Sequence, residues 1–157
     1  MIHKKIDVPI AGGLNFPLQS MVRVEQKFSA PQIGDIKATI KNEFAKEAIR
    51  NKIKRGQKIA IGCGSRGIAN IAIITKSVIH ELISLGAEPF IFPCMGSHGA
   101  ASAEGQKEVL AGYGISEETM SVPVHATMAT EIVGHLEDGT PVHMDKNASH
   151  ADGIVVI

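Results

Sequence analysis

The sequence contains no tryptophan, one tyrosine and five phenylalanines in 157 residues. So few flat side chains leave little for stacking bases, and 16 basic against 16 acidic residues cancel to no net charge. Both features argue against a nucleic-acid surface, which needs aromatic platforms or an excess of positive charge. No apolar run approaches the roughly 18 residues that span a bilayer. The opening Met1-Ile2-His3-Lys4-Lys5-Ile6-Asp7 is too mixed for a secretory signal, so no membrane partner is expected and the expected compartment is the cytoplasm. Two cysteines, Cys63 and Cys94, are too few for a disulfide framework, and a reducing compartment keeps them as thiols.

What is present is a chain of roughly one-domain size, with 44% hydrophobic residues to build a core. From about Lys58 onward, short apolar runs alternate with glycine-rich turns and segments of helical period. This is the pattern of βαβ units, and it predicts an α/β fold with a mostly parallel, Rossmann-like sheet and helices on both faces. Strands are expected over 58–62, 89–93, 122–124 and 153–157. Helices are expected over 67–85, ended by Gly86, and from Ser102 as N-cap to about Tyr113, with a short helical turn opened by Ser116. Glu131–Leu136 and Pro141–Met144 read as a hairpin turning at Asp138-Gly139. Residues 35–54 read as one amphipathic helix, with Ile36, Ile40, Phe44, Ala48 and Ile53 on one side. Residues 1–34, with Gly12-Gly13, several prolines and the alternating Met21-Val22-Arg23-Val24, read as an extended or β arm. The expected division is thus 1–34 and 35–157. A final strand with neither turn nor cap after it leads to the expectation that the chain is a truncated part of a two-domain protein.

Two loops carry the candidate chemistry. Gly62-Cys63-Gly64-Ser65-Arg66-Gly67 follows a strand and precedes a helix, with GxGxxG spacing. Backbone amides of Gly62, Gly64 and Gly67 near a helix start suit a phosphate or carboxylate, and Arg66 adds a guanidinium fork. An ordinary dinucleotide site also needs an acidic residue at the end of the second strand, whereas Glu88 stands at its start. Met95-Gly96-Ser97-His98-Gly99 follows the second strand on the same edge of the sheet. An imidazole between glycines has no packing role of its own and is suited to moving protons. His98 and Arg66 are expected to share one anion-sized crevice. A soft-metal pair of Cys63 and Cys94, or a cysteine nucleophile with His98 as base, stays open as an alternative. The other histidines have no metal-ligand spacing, so no metal ligand is assigned.

The runs Ile61-Gly62-Cys63-Gly64-Ser65-Arg66-Gly67-Ile68-Ala69-Asn70 and Pro93-Cys94-Met95-Gly96-Ser97-His98-Gly99-Ala100, with Glu104-Gly105, resemble the N-terminal domain of the nickel-dependent lactate racemase family. The resemblance extends to Asp145-Lys146-Asn147-Ala148 and to Ala151-Asp152-Gly153-Ile154-Val155-Val156. It implies a two-domain isomerase that racemises or epimerises a 2-hydroxy acid by moving hydride to and from a nickel-pincer nucleotide. By the same resemblance His98 is one of two acid/base histidines and Arg66 holds the substrate carboxylate; Ser65 is expected to bind the substrate beside it, and Gly62, Gly64 and Gly67 to face the cofactor. Where the lactate racemase has an acidic residue three positions before the arginine, this chain has Cys63. The second histidine, the tethering lysine and the nickel-binding histidine are expected in a C-terminal domain beyond Ile157, so residues 1–157 alone are expected to be inactive. Two other functions stay open: a non-catalytic module that binds a small acid or nucleotide, and an NAD(P)-dependent oxidoreductase.

Overall fold

In the computed structural model, residues 20–157 are described. The chain divides at Gln32/Ile33, two positions from the expected boundary, into Met1–Gln32 and Ile33–Ile157. In the first unit, residues 20–32 form no helix or strand and their side chains are exposed. Met21–Val24 forms no strand, and the expectation for residues 1–19, Gly12-Gly13 included, lies outside the described residues.

The second unit opens with α1 (Ile36–Ala45) and α2 (Glu47–Arg50), where one helix over 35–54 is expected. Asp35 caps α1 by accepting the Ala38 amide at 2.9 Å, but Lys46 takes ψ 132°, an extended backbone that interrupts the helix. Helical geometry explains the break. On a straight helix nine residues turn the axis through about 900°, so Ile53 would face away from Phe44. With the chain redirected at Lys46, Ile40, Phe44 and Ile53 all pack on the same core.

Then follow β1 (Lys58–Cys63), α3 (Ile71–Ser84), β2 (Glu88–Pro93), a 3-10 turn at Gly99–Ala101, α4 (Ala103–Gly112) and α5 (Glu117–Met120). The unit continues with β3 (Thr130–His135), β4 (Pro141–Asp145), α6 (Lys146–Ser149) and β5 (Gly153–Val156). Strands β2, β1 and β5 form a parallel sheet in that order, with Ile61 opposite Ile91 on one side and Val155 on the other. The strand expected over 122–124 is reduced to one parallel bridge between Val124 and Ile91. Pro123 lacks an N–H, so that edge offers only the Pro123 carbonyl and the His125 amide, which bond Ile91 at 2.9 Å each. Because β1 is central, the chain adds β2 and Val124 on one side and β5 on the other. In an open parallel sheet, the carboxyl ends beside such a reversal form a crevice.

Strand alternation sends β1 and β2 side chains to two different layers. Ile59, Ile61, Cys63 and Ile91 pack with Ile71, Val78, Ile79 and Leu82 of α3. Ala60, Phe90 and Phe92 turn the other way and are covered by Ala148 of α6, with Met144 and Ala151 beside it. Helices thus cover both faces. Burying one such aliphatic or aromatic side chain contributes about 1.5–3 kcal/mol. Helix α3 ends as a Schellman turn, with Gly86 (φ 85°) donating to Ile83 and Ala87 to Leu82. The β3–β4 hairpin turns at Asp138-Gly139 (φ 85° at Gly139) and carries a bulge between Ile132 and Gly134. Among the described residues no helix is long and apolar enough to cross a membrane.

Candidate acid and base site

The loops after β1 and β2 meet at one hydrogen bond: Ser65 Oγ lies 2.6 Å from His98 Nδ1. The parallel register makes this possible. Cys63 pairs with Pro93, and the Cys94 amide donates to the Cys63 carbonyl at 2.8 Å, so both loops leave the sheet side by side. His98 and Ser65 are half-buried, whereas Arg66 is exposed and makes no ion pair among the described residues. The structure therefore brings together the serine and the imidazole. Arg66 follows Ser65 directly in the chain and is exposed.

The first loop is longer than a dinucleotide turn. Helix α3 begins at Ile71 rather than Gly67, because Gly67 (φ 63°) and Asn70 (φ 61°) both adopt left-handed backbone and keep 64–70 out of the helix. The Gly64 amide donates to the Ile157 carbonyl at 3.2 Å, and the Ile157 amide to Gly62 at 2.9 Å. These bonds extend the β1–β5 ladder and occupy an amide that a phosphate would use. Gly62 lies inside β1, where its missing side chain is explained by packing: a Cβ there would sit 2.6 Å from Cys94 Sγ and 3.0 Å from Phe92 Cζ. Gly67 differs, with nothing within 4 Å of its Cβ position. Of the three glycines expected to face a cofactor, only Gly67 borders open space in the loop.

The cysteines stand on opposite faces of the sheet. Cys63 is buried under α3 with its sulfur 3.7 Å from Thr75 Oγ1, and burial raises its thiol pKa. Cys94 is an exposed residue, but its sulfur is turned in against Gly62. Desolvation there, with Cys63 and Asp145 adding, pushes the thiol up to about 11. Thiols held protonated are poor nucleophiles and poor soft-metal ligands, so the geometry gives no support to a cysteine pair or a cysteine nucleophile. Among the described residues no group of three or more His, Cys, Asp or Glu side chains can hold a metal ion.

Three supports of the site are absent from the sequence reading. Tyr113, just past α4, donates its hydroxyl to the Ser65 carbonyl at 2.9 Å. Gln106, buried within α4, donates Nε2 to the Gly96 carbonyl at 2.7 Å. Gly99 and Gly105 touch through their backbones, since a Cβ on Gly105 would overlap the Gly99 oxygen. No local sequence signal marks the first two, because each bond depends on how α4 packs against a loop.

No protein-family model matches the chain, and no curated protein matches it in sequence.

Proposed function

We propose that this chain is the acid/base half of a lactate racemase-like isomerase, in which His98 exchanges a proton with the hydroxyl of a small 2-hydroxy acid in the cytoplasm. The observation that carries the reading is the 2.6 Å contact between Ser65 and His98 at the carboxyl edge of the parallel sheet. One ring nitrogen is engaged by the serine, which orients the imidazole and leaves Nε2 as the nitrogen for a substrate proton. Arg66, on the same loop and exposed, supplies a bidentate partner for the substrate carboxylate. The resemblance of both loops to the nickel-dependent family is the second support.

The nickel-pincer nucleotide that this resemblance implies would supply the hydride acceptor. Among the described residues no group of three or more His, Cys, Asp or Glu side chains could hold its metal. What this chain's residues contribute lies on the side of the proton and the carboxylate. An NAD(P)-dependent oxidoreductase has less behind it, because the Gly64 amide is engaged and α3 starts four residues after Gly67.

The test is racemisation of a panel of 2-hydroxy acids, lactate first, by the complete nickel-loaded protein, followed by chiral chromatography. His98→Ala is expected to slow it by about a hundredfold or more. Racemisation that is absent from the wild type, or unchanged in the variant, overturns the reading. The same contact favours one second reading, acyl transfer with Ser65 as a nucleophile activated by His98. A fluorophosphonate that labels the wild type and not Ser65→Ala would select it.

A further inference from the structure

Two hydrogen bonds reach the two site loops from one helix. Gln106 lies in α4 and Tyr113 is its C-cap residue seven positions on, so about 700° of rotation along the helix puts their Cα atoms on almost the same side. Leu110 lies between them on that side and is fully buried, which anchors the face against the core. From this face Gln106 holds the second loop through Gly96, and Tyr113 holds the first through Ser65 itself.

Both residues are held firmly. Ser102 caps the start of α4 by accepting the Gly105 amide at 3.1 Å, and its hydroxyl donates to Gly99 at 2.9 Å, tying the helix to the second loop. At the other end Gly114 (φ 79°) donates to Ala111 and Ile115 to Leu110, a Schellman turn that sets where Tyr113 leaves the helix. Gln106 is 5% exposed, and an amide so buried stays in place because its hydrogen bond offsets its lost hydration.

We infer that α4 is a clamp that sets the Ser65–His98 distance, with Gln106 and Tyr113 as its positioning residues. The inference gives these residues a role in the proposed acid/base site and to that extent rests on that reading. Neither residue touches the imidazole. Each acts by holding the backbone of one loop, so that the serine hydroxyl and the imidazole meet without either loop having to be ordered anew.

The experiment is ring nitrogen NMR of His98 in the full chain labelled with 15N-histidine, recorded without substrate. The wild type is expected to show one dominant tautomer with Nδ1 shifted by its hydrogen bond, and Ser65→Ala defines the signals of the broken contact. Tyr113→Phe and Gln106→Leu should each move the His98 signals toward those of Ser65→Ala, while Lys107→Ala, on the same helix and exposed, leaves them in place. Tyr113 is partly exposed, so its loss of one hydroxyl keeps the fold and decides the matter if Gln106→Leu unfolds. The clamp is overturned if His98 keeps wild-type signals in Tyr113→Phe, or if Ser65→Ala itself moves nothing. Because no substrate is used, shifted signals in a protein without racemase activity would uphold the clamp and sink only the proposed function.

Discussion

The loops after β1 and β2 both follow a parallel strand and both are rich in glycine, but glycine serves opposite purposes in them. In the second loop Gly99 lies against Gly105 of α4 so closely that no side chain fits on either. Buried Gln106 and the Ser102 hydroxyl add hydrogen bonds to the same segment. In the first loop Gly67 is surrounded by open space, residues 66–70 are exposed, and Tyr113 and Ile157 hold only its beginning. One loop is a packed mount for an imidazole. The other is a loosely held rim, open to whatever approaches Ser65 and Arg66.

The sharpest way to break this contrast is to add one methyl group to each loop system. Gly105→Ala would raise helix propensity in α4 and in an exposed helix would stabilise it by about 1 kcal/mol. Here its Cβ would overlap the Gly99 carbonyl oxygen, a backbone atom that cannot step aside. A loss of about 3 kcal/mol is expected in urea unfolding. A loss below that given by Gly67→Ala would refute the packed-mount description. Gly67→Ala meets no atom and suffers only its left-handed backbone (φ 63°), so the expected loss is about 1 kcal/mol.

The two cysteines give the smallest and most local test. Iodoacetamide should modify Cys94 in the folded protein, with a rate that rises with pH up to about 11, whereas Cys63 should react only on unfolding. The same shift has a consequence for stability. A thiol whose folded pKa lies above its ordinary 9.0 favours the folded state at lower pH, and that contribution is lost as pH rises from about 9 through 11. Cys94→Ser should flatten stability across that window. An unchanged pH profile in the variant would show that the sulfur is hydrated rather than turned in against Gly62.

Much of the fold was legible because its signals are local. The Ile71–Leu82 periodicity, the Gly86 and Ser102 caps and the Asp138-Gly139 turn each depend on residues within a few positions, and each has its expected place. The expected 35–54 helix breaks at Lys46, since on a straight helix Ile53 would face away from Phe44. Helix α3 starts later than GxGxxG spacing predicts, because that spacing does not encode the left-handed backbone of Asn70. In the site, His98 was legible from its glycine flanks. Of the expected site residues it is Ser65 that makes a hydrogen bond to His98, a contact set by how the two loops meet.

Composition, periodicity and turn residues by themselves determined that this chain builds a parallel α/β unit with two glycine-rich loops on one sheet edge, since these follow from backbone preference and apolar spacing over short stretches. Tertiary structure alone decided which loop atoms meet, that Gly64 spends its amide on Ile157, that the cysteines part to opposite faces, and that α4 ties both loops from one side. Those outcomes depend on strand register and on contacts between segments far apart in the chain. Side-chain identity at a single position does not encode them.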